Sequence, residues 1–244
     1  MRLRPSAAAG DWLQATREKV GETGDALARD EVRLAISACG VCRTDLQIVQ
    51  GDLPPHLAEV VPGHQAVGRV VAIGEDVRDW KVGDRGATTW LAWACGECPY
   101  CRSGQENLCE RGRFTGWDVD GGYATHVRVQ AGFLIRVPDQ ITDLEAAPLM
   151  CAGVIGYRAL RLAGLAPAMR LGLYGFGASA HLALQVARHA GAVIHVATRR
   201  PEDTSLAMEL GADSTGVYDE SPPHPLDAAI TFAPVGSVVI HALR

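Results

Sequence analysis

Four of the seven cysteines, Cys95, Cys98, Cys101 and Cys109, crowd into a fifteen-residue loop rich in Gly, Pro, Arg, Glu and Asn. Three are spaced CxxCxxC and the fourth follows after seven residues. Four thiolates converging in a short loop suit the tetrahedral preference of Zn²⁺, and a closed set of four leaves no position for substrate. The expected site is therefore structural. An iron–sulfur cluster or disulfides are the competing readings, and a reducing, cytosolic setting together with this spacing favours zinc over both.

Three more potential ligands lie far apart: Cys42 in ACGVCRTD, His64 in PGHQAVG and Cys151 in PLMCAG. Singly, each has an ordinary explanation, since a lone cysteine in apolar text is a small core residue and a lone histidine is commonly surface or satisfied core. Together, two cysteines and a histidine make a three-ligand zinc site with the fourth position open to water or substrate, a set of which alcohol dehydrogenase is a known example.

GVCRTD, PGHQ, the CGxCxxC lobe and the glycine-rich turn GFGASA occur in that order. The chain thereby resembles, from about Asp30 to its end, the zinc-dependent medium-chain alcohol dehydrogenases. That resemblance implies an α/β protein: a β-rich GroES-like barrel, then a partial doubly wound parallel (Rossmann) sheet. It implies two zinc ions per chain, a catalytic one on Cys42, His64 and Cys151 and a structural one on the four-cysteine lobe. It also implies that Thr44 passes on the alcohol proton, Asp45 stands behind the zinc ligands, and Arg43 contacts the cofactor pyrophosphate. Leu53 and Trp90 fall where the family lines its substrate pocket, and a tryptophan there narrows it toward small alcohols or aldehydes. Two positions depart from the pattern. Gln65 replaces a glutamate beside the histidine ligand, and Gln47 replaces a histidine that finishes the proton relay. Cys39 matches no ligand and reads as core. His56, His126, His189, His224 and His241 have no ligand-like partners in sequence.

The turn GFGASA sits between a predicted strand and a predicted helix, the context that gives a GxGxxG/A pattern its meaning. Gly175 makes the tight turn, and Gly177 and Ala178 let backbone approach a pyrophosphate at the helix N-terminus. Some twenty residues on, where an acidic residue would bind the ribose of NAD, the text reads Thr198, Arg199, Arg200. An uncharged residue followed by arginines favours a 2′-phosphate, so the expected cofactor is NAD(P)(H) with a lean to NADP(H). The alternative is that these arginines are merely solvated.

The elements that must position these groups are readable from periodicity. EVRLAIS alternates apolar and polar residues, VGRVVAIG is a β-branched run, and further strands fit residues 123–129 and 133–137. Thr142 and Glu145 make a capping-box pattern that opens helical text through Arg161, interrupted at Pro148. An αβ rhythm follows: strand 170–174, helix 178–189, strand 193–198, helix 202–210, a short strand near Val217, strand 228–232 and a helix from Val235. Strands alternating with helices predict a parallel sheet. The expected organisation is an atypical segment over residues 1–30, a zinc-binding domain over 31–148 and an incomplete nucleotide-binding domain over 149–244.

Apolar residues make up 48% of the 244 residues and the net charge is -5, spread without long runs, so the chain can bury a core and carries no basic footprint for nucleic acid. No stretch approaches the roughly 18 uninterrupted apolar residues a membrane span needs, and the N-terminus lacks a signal-peptide core. The expectation is a cytoplasmic protein with neither nucleic-acid nor membrane partners.

A doubly wound domain has six strands in the order 3-2-1-4-5-6, and only four are readable here. The text stops at HALR with no capping signal, and residues 1–29 do not read as the paired strands that open the barrel. In the family the missing strands carry nicotinamide contacts and the oligomer interface, which are expected to be lost. The leading reading is an alcohol dehydrogenase in truncated form. A non-catalytic homologue that keeps zinc and nucleotide is the alternative, and net acidity together with the separate three-donor set speaks against a mere zinc-ribbon interaction module.

Overall fold

A computed structural model describes residues 2–3, 15–16, 26–54 and 56–243, in two compact units, Met1–Cys151 and Ala152–Arg244. Most of the opening segment, residues 1–30, lies outside the described residues. Two short pieces of it, β1 (Arg2–Leu3) and β2 (Ala15–Thr16), pair antiparallel as a sheet of their own. Two-residue strands are too short to leave an alternating pattern in sequence.

The first unit continues with β3 (Glu31–Gly40), α1 (Arg43–Gln50), β4 (Gln65–Ile73), β5 (Arg85–Ala87), β6 (Leu91–Trp93), α2 (Pro99–Arg102), β7 (Arg113–Phe114), β8 (His126–Gln130), β9 (Ile135–Arg136) and α3 (Asp143–Pro148). Five strands form one antiparallel sheet in the order β8-β3-β4-β5-β9, and β6 pairs with β7. The alternation read in EVRLAIS is physical: Val32 and Leu34 are fully buried against Val70, Val127 and Val129, while Glu31 and Arg33 face the other way. Truncating a leucine at such a position costs about 2–5 kcal/mol. The strand expected over residues 123–129 begins later, at His126, and Ala131–Phe133 is a 3-10 turn.

Thr142 caps α3 as its capping box predicts, accepting from the Glu145 N–H. The helical text beyond it does not continue as one helix. Pro148 has no N–H to donate and its ring crowds the preceding turn, and Leu149–Gly153 follows as a π-helical turn before α4 (Val154–Leu162). Cys151 sits in that wide turn, a kind of irregularity that recurs at functional sites.

In the second unit, β10 (Arg170–Tyr174), α5 (Ala178–His189), β11 (Val193–Ala197), α6 (Pro201–Leu210), β12 (Ser214–Gly216), β13 (Ala228–Thr231) and α7 (Gly236–Ala242) follow one another. The four strands are parallel in the order β12-β11-β10-β13, which is the 3-2-1-4 portion of a doubly wound sheet. Leu171, Leu173, Ile194 and Val196 pack against Ala180, Ala183, Leu184 and Ala187 of α5 on one face. Tyr174 and Ala197 pack with Val238 of α7 on the other. Both faces being covered explains why these strands read as near-continuous apolar runs. No helix among the described residues is long and apolar enough to cross a membrane.

Candidate metal centres and nucleotide turn

The four lobe sulfurs lie within 4.8 Å of one another. A tetrahedral ion with Zn–S bonds of about 2.3 Å sets S···S separations near ~3.8 Å, and Cys98–Cys101 and Cys95–Cys101 stand at 3.5 and 3.9 Å. Local backbone does the gathering. Cys98 caps the short helix α2, the Cys101 N–H points at the Cys98 sulfur at 3.5 Å, the Cys98 N–H at Cys95 at 3.3 Å, and the Cys95 N–H at Cys109 at 3.4 Å. Backbone N–H groups of Glu97 and Cys98, with help from the Arg111 guanidinium, lower the Cys95 thiol to about 6. Burial, with its thiol neighbours, pushes Cys101 up to about 12. Arg111 is also ion-paired with Glu97.

The second cluster is assembled across the unit. Cys42 begins α1, His64 begins the text that enters β4, and Cys151 rides the π turn, yet their donor atoms also lie within 4.8 Å. Cys42 Sγ is 3.3 Å from His64 Nε2. Gly63 adopts φ +97°, and a Cβ there would lie 2.8 Å from the Tyr123 ring, so only glycine turns the chain tightly enough to aim His64 inward. Behind the histidine stands Asp45, 2% exposed, with Oδ1 3.2 Å from His64 Nδ1 and Oδ2 accepting from the Cys42 N–H at 2.8 Å. The Asp45 carboxylate and the His64 ring thus face each other as a buried pair, with the Tyr123 side chain also against Asp45.

Charge in this cluster is strongly coupled. The hydrogen bond from Cys151 outweighs burial and, with His64, holds the Cys42 thiol down to about 4, while the Cys151 thiol is pushed up correspondingly. Burial opposes the His64 cation, but Asp45 and Cys42 overcome it and raise His64 to about 9. Asp45 stays below the usual carboxylate range because His64 contacts overcome its desolvation. One thiolate, one imidazole and one further thiol around a common point, with a carboxylate behind the imidazole, is a donor set suited to a zinc ion with one open position. Cys39 is packed away from it, bonded to the Gly40 carbonyl at 3.7 Å, and burial pushes its thiol up to about 12.

Thr44 is half-buried beside the cluster, its N–H donating to Cys42 Sγ at 3.3 Å, and Arg43 is exposed. Trp90 meets the His64 ring edge-on at 5.2 Å. It belongs to a larger array: Trp90 stacks on Phe114 at 5.1 Å and on Trp117 at 6.0 Å, and Trp117 stacks on His56 at 3.9 Å. His56, which the sequence leaves without a role, also contacts Asp118 at 2.5 Å, and the Trp117 indole donates to the Pro54 carbonyl. Aromatic spacing in GRFTGWD was the only available signal for Phe114 and Trp117. Leu53 is half-buried in the turn after α1, its N–H donating to Gln47. Gln65, 2% exposed, starts β4.

In the second unit Gly175 adopts φ +94°, and a Cβ there would lie 2.8 Å from the Ala233 nitrogen. The turn it makes leaves Gly177 and Ala178 exposed at the N-terminus of α5, where backbone N–H groups lack intrahelical partners. At the end of β11 Thr198 is 2% exposed and donates its hydroxyl to Asp203 at 3.0 Å. Arg200 grips the same carboxylate through Nε at 2.9 Å and Nη2 at 2.5 Å, so the reading of it as merely solvated is corrected. Arg199 is exposed. Asp203 reaches this point from the first turn of α6, a placement that only the fold reveals.

Residues 28–139 match the alcohol dehydrogenase GroES-like domain. The probable alcohol dehydrogenase AdhA of Mycobacterium tuberculosis is 52% identical over 222 residues, covering 89% of this chain and 64% of that protein. Along its length the chain is similar to alcohol dehydrogenases. It spans just under two thirds of that curated relative's length. Among solved structures, alcohol dehydrogenase TADH of Thermus sp. ATN1 superposes with a TM-score of 0.85 at 26% identity, covering 100% of this chain and 73% of that one. The CAD of Helicobacter pylori, solved with NADP(H), gives 0.81 at 25% identity, covering 86% and 63%. GroES-like and Rossmann folds are therefore the two units' architectures.

Proposed function

We propose that this chain carries the machinery of a zinc-dependent oxidoreductase that transfers hydride between a small alcohol, or the matching aldehyde or ketone, and NADP(H). The observation that carries the proposal is the convergence of Cys42, His64 and Cys151 on one point with buried Asp45 behind His64. A zinc ion held there would supply Lewis acidity that lowers the pKa of an alcohol oxygen or polarises a carbonyl. Thr44, beside Cys42, takes up the alcohol proton and hands it to water, the Gln47 position offering no imidazole to finish the relay. Asp45 fixes the orientation of His64, keeping Nε2 toward Cys42. The Trp90 face narrows the approach, which favours short alcohols. An ion held by Cys95, Cys98, Cys101 and Cys109 would be structural, since four thiolates fill its tetrahedral positions and leave none open to substrate.

The nucleotide reading rests on the Gly175–Gly177 turn before α5, the absence of an acidic residue at the end of β11 itself, and Arg199 at that end. Arg43, exposed at the start of α1, is assigned to the pyrophosphate. The test is to measure zinc content and NADPH oxidation with a panel of aldehydes on one preparation. Two zinc ions per chain with turnover is the expected result. One zinc retained in the lobe would overturn the open site, and two without turnover would overturn the activity.

A further inference from the structure

Arg199 and Arg200 look equivalent in the sequence, and the fold makes them different. Arg200 is committed at two points to Asp203, through Nε and Nη2, in the fork-to-carboxylate geometry that makes such pairs strong. The pair carries no net charge, and its carboxylate is nearly buried at 9% side-chain exposure. Glu202 adds a second negative group 3.8 Å from the Arg200 guanidinium. The Thr198 hydroxyl hydrogen is given to the same carboxylate, so that oxygen has only lone pairs left to offer an incoming group. Asp203 therefore occupies both neighbours of Arg199. Arg199 itself is exposed and, among the described residues, shows no ion pair or hydrogen bond with an acidic group.

We infer that Arg199 alone supplies the positive charge that reads a ribose 2′-phosphate, and that Asp203 sets this division by holding Arg200 and Thr198 away from the nucleotide. This rests on the NADP(H) reading above. The physical reason is simple: a guanidinium already saturated by a carboxylate has little net attraction for a second anion, and an unpaired one has its full charge available. Asp203 is a positioning residue that acts through Arg200.

The test uses the full chain and two probes, adenosine 2′,5′-bisphosphate and 5′-AMP, whose affinities are measured by calorimetry. Native protein is expected to prefer the bisphosphate by about tenfold or more, the worth of one charge-assisted contact. If it does not, the NADP(H) reading fails and takes this inference with it. Given that preference, Arg199→Ala should abolish it, leaving 5′-AMP binding unchanged, and Arg200→Ala should keep it within about twofold. Loss in Arg200→Ala with retention in Arg199→Ala overturns the assignment while sparing the NADP(H) reading, as does equal loss in both or retention in both. Adding Asp203→Asn to Arg199→Ala frees Arg200 and should restore part of the preference. No restoration in a folded double variant contradicts the role of Asp203, and both single-arginine variants change exposed side chains, so their readout does not depend on that double variant folding.

Discussion

The two candidate metal clusters of the first unit differ in how they are built. In the four-cysteine lobe every donor comes from one loop: the Cys98 and Cys101 N–H groups each point at the preceding sulfur, and the Cys95 N–H closes the loop on Cys109. The other cluster draws its donors from the start of α1, the entry to β4 and the π turn after α3, so its geometry is only as good as the packing of the whole unit. A loop that closes on itself can be dedicated to stability. A site assembled from three elements can leave one direction open, and it needs supports, of which Asp45 behind His64 is one and the anchoring of α3 is another.

Breaking the open cluster outright gives the largest expected effect. His64→Ala should lower turnover by about a thousandfold or more, since several kcal/mol of Lewis-acid assistance disappear, and should leave one zinc per chain in the lobe. Steady-state kinetics with metal analysis check this, and loss of both ions would show that the clusters are not independent. Asp45→Asn is milder: metal affinity at the open cluster should fall about 10–100-fold with the lobe untouched, as read by competition with a chromophoric chelator. Trp90→Ala should raise kcat/KM for bulkier alcohols relative to ethanol by roughly tenfold, the range of one pocket contact. An unchanged ratio would remove Trp90 from the pocket wall.

The smallest effect tests the remote support. Asp143, near the start of α3, accepts from the Ser37 hydroxyl and from Arg85 at 3.0 and 2.5 Å, and these contacts hold its carboxyl below the ordinary value of 3.8. A carboxylate whose folded pKa is depressed adds stability that is fully present above its unfolded value and is lost as pH falls through the folded one. Its contribution should therefore fade only below about pH 4. Asp143→Asn should cost about 1 kcal/mol at neutral pH, discounted for partial exposure, and flatten that acid limb in thermal melts. It should also loosen metal at the open cluster and not in the lobe. Equal loosening of both would contradict the idea that only one cluster depends on distant packing.

This difference also explains what the sequence revealed. The lobe was legible because its information is local: CxxCxxC and Cys109 place all four donors within reach of one another. The parallel sheet was legible for a related reason, since buried runs such as those of β10 and β11 are bounded by glycine turns. Cys42, His64 and Cys151 could be joined only by donor type and resemblance, because nothing in their spacing says that a π turn brings Cys151 to the other two. The aromatic array escaped notice because Trp117 and His56 meet across a long loop, and Asp203 because its contact with Thr198 and Arg200 depends on how α6 starts. Helix α1 left little periodic signal, as it is short and buries only Asp45 and Ile48.

The account's central claim is that Cys42, His64 and Cys151 hold an ion of their own, separate from the lobe. Zinc content of the native chain and of Cys151→Ser, measured side by side by plasma mass spectrometry on folded protein, tests it most directly. Two equivalents in the native chain and one in the variant are predicted. One equivalent in both, or two in both, would contradict it.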